Sequence, residues 1–226
     1  MKYPYLLLDA DNTLFDFDAG NRLAVTAVCR RFDIPDTEES FRLYEGCNNA
    51  LWAAFDRGEV TKDFLVVQRF RDFFRKLGIE RDAAACNELH LAVLSENTLL
   101  MPHALEVCRE LHKTHKLYIV TNAVAAVQRS RLGKSALAPY IDGAFISEEA
   151  GASKPSREYF DYVFAHVEGL RRDNCLLIGD SLSSDMQGAA NYGLPSCWYN
   201  PGRLPRPADL DITYTIDDLR QLPDIV

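Results

Sequence analysis

The sequence lacks cysteine pairs at the spacing of metal sites. Its six cysteines stand alone, and none belongs to a Cys-x-x-Cys pair. Such pairs are typical of zinc sites and redox motifs, so we expect neither here. A chain of 226 residues also buries enough surface to be stable without disulfides. The sequence therefore predicts buried free thiols in a reducing compartment, at Cys29, Cys47, Cys86, Cys108, Cys175 and Cys197.

Long apolar runs and basic runs are also missing. The longest uninterrupted apolar run is six residues, Ala50 to Phe55, whereas a membrane-spanning helix needs about 20. The apolar run before Asp9 is only four residues long, too short for the core of a signal peptide. A net charge of −8 without a Lys/Arg-rich run argues against binding of a nucleic-acid polymer. We therefore expect a cytoplasmic globular protein with no membrane partner.

Short apolar runs alternate with helical patterns through much of the chain. The runs at residues 5–8, 117–120, 144–146, 175–179 and 196–199 are nearly continuous, which is typical of parallel strands covered on both faces. Strands that alternate with helices indicate an α/β fold. The predicted core is a doubly wound, Rossmann-like parallel sheet.

The region after the first strand interrupts this alternation. From Asp18 to about Glu96 the periodicity is helical, with a capping-type start at residues 36–39, a helix start at Thr61, a stop at Gly78 and a last helix from about Asp82. This pattern predicts an α-helical domain over residues 17–99, inserted into an α/β core formed by residues 1–16 and 100–226.

Polar residues follow the predicted strands where the strands end. In an open parallel sheet, the carboxyl ends of the strands meet at one edge, where ligands bind. We expect one crevice to contain the residues at these ends, namely Asp9, Asp11, Thr121, Asn122, Lys154, Asp180 and Asp185.

This set of side chains suits phosphate chemistry. Carboxylate oxygens are ligands that Mg²⁺ prefers, and a lysine ammonium suits a phosphoryl oxygen or a carboxylate. Hydroxyl and amide donors such as those of Thr121 and Asn122 can bind phosphate. One carboxylate can attack phosphorus to give an aspartyl-phosphate, while a second protonates the leaving group and later activates water.

The same residues resemble the motifs of a known superfamily. Asp9-x-Asp11-x-Thr13, Thr121, Lys154 and Gly179-Asp180-x₄-Asp185 are similar, in order, to the four motifs of the haloacid dehalogenase-like (HAD) phosphohydrolases. One short acidic motif would be weak support, but four in order are highly specific.

The resemblance implies a role for each motif residue. Asp9 would be the nucleophile and Asp11 the general acid and base. Thr121 and Asn122 would bind the phosphate, and Lys154 would steady both the phosphate and Asp9.

The resemblance also implies a Mg²⁺ cofactor. The metal would be held by the Asp9 carboxylate, the Asp11 backbone carbonyl and Asp180. Asp185 would orient Lys154 or a metal-bound water.

The motif spacing resembles the subfamily that carries a helical cap after the first motif. There are 109 residues between Asp11 and Thr121, but only 32 between Thr121 and Lys154 and 25 between Lys154 and Asp180. Such a cap would exclude water and select the leaving group. Trp52 and Asn48 in this region are candidate substrate contacts, although an aromatic at helical spacing is more often part of the cap core, and a helix interruption explains Asn48 about as well.

Within the superfamily, the chain is similar to pyrimidine nucleoside 5′-monophosphatases of the YjjG/YfnB type. The resemblance rests on further stretches, which include Gln128-x-x-Arg131-Leu132, residues 146–155 and Cys197-Trp198-Tyr199-Asn200. It implies a small phosphate ester, a nucleoside 5′-monophosphate, as substrate. One departure is Ala123, where these proteins have glycine; a glycine-only conformation there would make Ala123 weaken phosphate binding.

Three other functions remain open at this point. A sugar-phosphate phosphatase or phosphomutase would share the core motifs and differ in the cap. A haloacid dehalogenase needs no metal and typically lacks the second aspartate, so Asp11 counts against it. A non-catalytic binding protein of the same fold usually lacks one of the chemical positions, and all are present here.

Overall fold

A six-stranded parallel sheet organises the α/β part of the protein, in a computed structural model that describes residues 2–226. The strand order is β3-β2-β1-β4-β5-β6, and every neighbouring pair is parallel. The predicted α/β fold with a doubly wound sheet is therefore confirmed. The strands are β1 (Tyr5–Leu8), β2 (Lys116–Thr121), β3 (Gly143–Ile146), β4 (Cys175–Gly179), β5 (Ser196–Tyr199) and β6 (Tyr214–Ile216).

The sheet is covered on both faces. Leu6 and Leu8 of β1 pack in one apolar cluster, whereas Leu7 packs in another, because successive side chains of a strand point to opposite faces. All three leucines are fully buried, as the continuous apolar runs predict. The helices of this α/β part follow four earlier helices in the chain. They are α5 (Ala104–Leu111), α6 (Ala125–Lys134), α7 (Ser147–Ala150), α8 (Arg157–His166) and α9 (Gln187–Tyr192).

The chain divides into two compact units. One comprises the residues up to Phe17 together with Thr98–Val226, and the other is Asp18–Asn97. The second unit is entirely helical apart from its connections. Its helices are α1 (Phe17–Arg31), α2 (Glu38–Asp56), α3 (Lys62–Leu77) and α4 (Ala83–Glu96).

Local capping residues set the helix boundaries in this helical unit. The side chains of Thr37, Thr61 and Asp82 accept hydrogen bonds from the first backbone amides of α2, α3 and α4. Gly78 ends α3 in the left-handed conformation, with φ of 66°. The core of this unit is apolar and largely aromatic, formed by Val25, Val28, Cys29, Ile34, Tyr44, Cys47, Phe70, Phe73, Phe74, Ala83 and Cys86.

The strand order reverses at β1. This strand pairs with β2 on one side and with β4 on the other, so the chain continues outward in both directions from the centre. Loops that leave neighbouring strands at such a point diverge and leave a crevice at the carboxyl ends. The loops after β1, β2 and β4 therefore border this crevice, at the edge of the sheet where the candidate residues were predicted.

Two further features concern the cysteines and the helix lengths. All six cysteines are free and buried, as predicted. Among residues 2–226, we find no helix that combines the length and the apolar character needed to cross a membrane.

Candidate active site

Asp9 lies directly after β1, in a tight turn. Its backbone amide donates to the Ile178 carbonyl of β4 at 2.8 Å, which continues the sheet pairing past the end of the strand. The amides of Leu14 and Phe15 both donate to the Ala10 carbonyl and close the turn. The Asp9 side chain is buried, with 10 % of its surface exposed, and Asp11 follows at 26 %. The turn therefore places two carboxylates close together in different surroundings.

Lys154 joins two of the carboxylates. Its Nζ donates to Asp9 Oδ1 at 2.6 Å, to Asp185 Oδ1 at 2.6 Å and to the Val120 carbonyl at 2.8 Å. An ammonium has three donors, so this side chain is fully satisfied although it is 1 % exposed. Burial lowers the pKa of Lys154, but the Asp185 and Asp9 carboxylates outweigh it and hold the pKa above its ordinary value. Lys154 is therefore a fixed cation.

Asn122 positions the loop that carries Lys154. Its side-chain Nδ2 donates to the Lys154 carbonyl at 2.8 Å, and its Oδ1 accepts from the Lys154 amide at 3.0 Å. The Asn122 side chain is thus engaged with the backbone of the loop that carries Lys154. Its predicted contact with phosphate stays a prediction.

Asp9, Asp180 and Asp185 form an acidic cluster. One carboxylate oxygen from each lies within 4.8 Å of the other two. Burial raises the pKa of Asp180 to about 7, with Asp185 adding to the effect. Burial also raises the pKa of Asp9 well above its usual range, against the opposing effect of Lys154. Three carboxylates around one lysine leave surplus negative charge, which suits a divalent cation with hard oxygen ligands.

Asp180 and Asp185 occupy different positions in this cluster. Asp180 Oδ1 accepts from the Thr13 hydroxyl at 3.2 Å, and the side chain lies beside Asp9. Asp185 is fully buried and uses both oxygens within the protein, since Oδ2 accepts from the Ser181 amide at 3.1 Å. A Cβ at Gly179 would lie 2.2 Å from that oxygen, so only glycine leaves room for Asp185 there. Asp185 is therefore placed to orient Lys154.

Thr121 ends β2 and is buried. Its Oγ1 accepts from the Ala123 amide at 3.1 Å, so the hydroxyl proton can still be donated. The cap of α6 is Val124 and not Thr121, so Thr121 is not a helix cap. Within residues 2–226, the non-glycine residues with positive φ are Asn12, Asp33, His103 and Arg203, and Ala123 is not among them. The backbone at Ala123 therefore does not require glycine.

The two candidate contacts in the helical unit lie within its own packing. Asn48 is 4 % exposed, and its Oδ1 accepts from Arg69 at 3.0 Å. Trp52 is half-buried and packs edge-to-face against Phe55, with ring centroids 5.5 Å apart. The structure gives both residues partners inside α2 and α3, and their contact with a substrate stays a prediction.

Sequence reasoning assigned no role to Arg131, a site residue on α6. The Arg131 side chain is 2 % exposed, and its Nη1 lies 2.5 Å from Asp11 Oδ1. The stretch Gln128-x-x-Arg131-Leu132 supported the family resemblance, but an arginine on a surface helix is ordinarily exposed. Only the fold shows that this one points inward.

A parallel α/β core with these strand-end residues is typical of one class of hydrolase, and known proteins with similar sequences and structures belong to the same class. The model of the haloacid dehalogenase-like hydrolase family matches residues 3–193, and the chain belongs to this family of enzymes. The chain is 36 % identical over 225 residues to the HAD-hydrolase YfnB of Bacillus subtilis (strain 168), covering 100 % of this chain and 96 % of YfnB.

Two further relatives have names that state an activity. The pyrimidine 5′-nucleotidase PynA of Streptococcus pneumoniae (strain ATCC BAA-255 / R6) is 32 % identical, covering 99 % of this chain and 95 % of PynA. The pyrimidine 5′-nucleotidase YjjG of Escherichia coli (strain K12) is 31 % identical, covering 100 % of this chain and 99 % of YjjG. The solved structure of Bacillus subtilis YfnB bound to magnesium has a TM-score of 0.95 and covers 100 % of this chain and 99 % of that one. The resemblance found in the sequence is confirmed.

Proposed function

We propose that the protein is a Mg²⁺-dependent phosphatase that hydrolyses pyrimidine nucleoside 5′-monophosphates through a phosphorylated Asp9. The observation that carries the proposal is the separation of the two carboxylates of the first loop. Asp9 is held by Lys154 and buried, whereas Asp11 is held by Arg131 and is more exposed. Two carboxylates in different surroundings suit two roles, nucleophile and acid–base.

The residues of the chain divide the work. Lys154 holds the Asp9 carboxylate in place and offsets charge on the phosphoryl group, while Asp185 and Asn122 keep Lys154 in position. Thr121 donates its hydroxyl to a phosphate oxygen. Asp11 gives a proton to the departing ester oxygen and later takes one from the attacking water.

The metal would be held by the Asp9 and Asp180 carboxylates and the Asp11 backbone carbonyl. When bound, Mg²⁺ supplies polarisation of a phosphoryl oxygen and neutralises developing charge. The surplus of carboxylates around Lys154 supports this cofactor, as does the magnesium in the solved structure of YfnB.

The preference for pyrimidine nucleotides rests on the names of PynA and YjjG, which the chain matches over its full length. We also propose that the helical unit acts as the cap that selects the leaving group. The six free cysteines support a reducing, cytoplasmic compartment.

A panel of phosphate esters tests this function. We expect Mg²⁺-dependent release of phosphate from pyrimidine nucleoside 5′-monophosphates in preference to sugar phosphates or phosphoserine. The control is Asp9→Asn, which keeps the shape of the side chain and removes the nucleophile, and should release no phosphate. Full activity after chelation, or activity in Asp9→Asn, would contradict the mechanism. Preference for sugar phosphates would instead favour the alternative phosphatase.

A further inference from the structure

Arg131 approaches Asp11 from the interior of the α/β unit. The guanidinium Nη1 lies 2.5 Å from Asp11 Oδ1, and the two residues are 120 positions apart in the chain. The pair uses one oxygen of the carboxylate. Since about a quarter of the Asp11 side chain is exposed, Oδ2 is the oxygen left for exchange with a bound substrate.

The surroundings of Arg131 fix the direction of its guanidinium. Nη1 also donates to Gln128 Oε1 at 3.3 Å, one turn earlier on α6. The guanidinium carbon lies 4.5 Å from the centroid of the Phe15 ring, within the distance of a cation–π contact. Gln128 and Phe15 are both fully buried, so neither partner moves freely. A guanidinium held through Nη1 by Gln128 and on one face by Phe15 is a rigid support.

Lys154 does not perform this task. Its three donors are used by Asp9, Asp185 and the Val120 carbonyl. The α/β unit therefore has separate cations for its two first-loop carboxylates. Arg131 contacts Asp11.

We propose that Arg131 is a positioning residue that holds Asp11 Oδ1, so that Oδ2 carries the proton exchanged in both half-reactions. This inference rests on the proposed phosphatase function. In the first half-reaction an Asp9 oxygen bonds to phosphorus. The ester P–O bond breaks with its electron pair on the leaving oxygen, which takes the proton from Asp11 Oδ2.

The second half-reaction uses the same oxygen in reverse. Oδ2 takes a proton from water as the water oxygen bonds to phosphorus. The bond between phosphorus and the Asp9 oxygen breaks, and its electron pair returns to the carboxylate. Loss of Arg131 lets the Asp11 carboxyl rotate away, so esters whose leaving group needs the proton suffer most.

The test compares esters with poor and good leaving groups in Arg131→Met. We expect kcat/KM to fall about 30- to 100-fold for a nucleoside 5′-monophosphate and for glycerol phosphate, within the usual range for general acid catalysis. For 4-nitrophenyl phosphate, whose leaving group needs little protonation, we expect a fall of less than about threefold. The ratio kcat/KM isolates the first half-reaction, because it reports the steps through cleavage of the ester bond.

Matched variants separate positioning from general damage. Arg129→Met removes an arginine that lies on the same helix, is about half exposed and pairs with Glu149, and should change neither ester. Arg131→Lys keeps a cation and should recover part of the loss. In an Asp11→Asn background, Arg131→Met should cause no further loss with alkyl esters, since Arg131 acts through Asp11.

Each outcome is decisive. Equal losses for both ester classes would show a structural role and overturn the inference, as would additive losses in the Asp11→Asn background. Wild-type protein that releases phosphate from no ester would overturn the proposed function itself. If Arg131→Met does not fold, Gln128→Leu removes the hydrogen bond that holds Arg131 in place. It should show the same ester dependence, with kcat/KM for alkyl esters about two- to fivefold lower. Equal losses in Gln128→Leu would overturn the inference too.

Discussion

Each of the two units buries a cation, and the two cations are held in opposite ways. Lys154 in the α/β unit lies against two carboxylates, which keep its pKa above the ordinary value despite burial. Arg69 in the helical unit is equally buried, but its hydrogen-bond partners are neutral, and burial lowers its pKa. These partners are the Val66 carbonyl, Asn48, Asn87 and His90.

This difference in partners distinguishes a cation of the candidate active site, Lys154, from a cation that stabilises helix packing, Arg69. Around Lys154 the carboxylates exceed the cation, and the surplus suits a metal ion and a reacting phosphate. Around Arg69 the side chains supply dipoles from α2 and α4, which satisfy the guanidinium and tie three helices together. His90 is kept neutral there, since burial and Arg69 hold its pKa well below the usual range. Four predictions test this division.

The largest effect is expected for Lys154→Met. Removal of this cation leaves Asp9 and Asp185 buried without their partner, so we expect kcat to fall about a thousandfold and the free energy of unfolding to fall by about 3–5 kcal/mol. Steady-state kinetics and urea denaturation measure the two losses. Lys116→Met, which removes an exposed lysine paired with Asp142, should affect neither. Wild-type kcat in Lys154→Met would remove Lys154 from the chemistry.

Arg69→Met should change stability and spare catalysis. The variant leaves the oxygens of Asn48 and Asn87 unsatisfied, so we expect a loss of about 2–4 kcal/mol in the free energy of unfolding. At a temperature where the variant is folded, kcat should stay within about twofold of wild type. If KM for nucleotides rose at least about tenfold while the free energy of unfolding stayed unchanged, the hydrogen bonds of Arg69 would serve substrate binding.

The Asp180 carboxyl predicts a pH dependence in metal-free protein. Its pKa of about 7 in the folded state lies above the ordinary value of 3.8, so the folded state binds the extra proton between these values. The free energy of unfolding should therefore fall as pH rises from about 4 to about 7. Urea denaturation across this range measures the slope, and Asp180→Asn should flatten it. A slope that is the same in Asp180→Asn would show that other groups cause it.

The smallest effect is expected for Ala123→Gly. Because Ala123 does not have positive φ, glycine gains no favourable conformation there. We expect kcat/KM to stay within about twofold and stability to fall by no more than about 1 kcal/mol. A kinetic assay and a thermal melt suffice. A tenfold gain in kcat/KM would show that the Ala123 methyl group hinders phosphate binding.

Much of the fold could be predicted because its signals are local. Thr37, Thr61 and Asp82 mark helix starts through bonds to amides two or three residues away. The three residues of β6 carry too short a pattern, and the sequence did not predict this strand. The spacing between Thr121 and Lys154 leaves room for about one βα unit, but the bounds of α6 and the inward direction of Arg131 were not predicted.

For the candidate site, the placement of its residues could be predicted, but several of their contacts could not. Asp9, Thr121 and Asp180 could be placed at one edge because parallel strands end together. The prediction for Asn122 omitted its bonds to the Lys154 backbone, which join loops 32 residues apart. No local pattern encodes such a contact.

The sequence by itself determined the first five strands, the helical character of the inserted region and the presence of acidic groups at the strand ends. These follow from periodicity and from bonds between near neighbours. Only the tertiary structure decided which charges meet. Lys154 joins Asp9 across 145 positions, and Arg131 joins Asp11 across 120. Coulombic energy depends on distance in space and on burial, and the fold sets both for residues far apart in the chain.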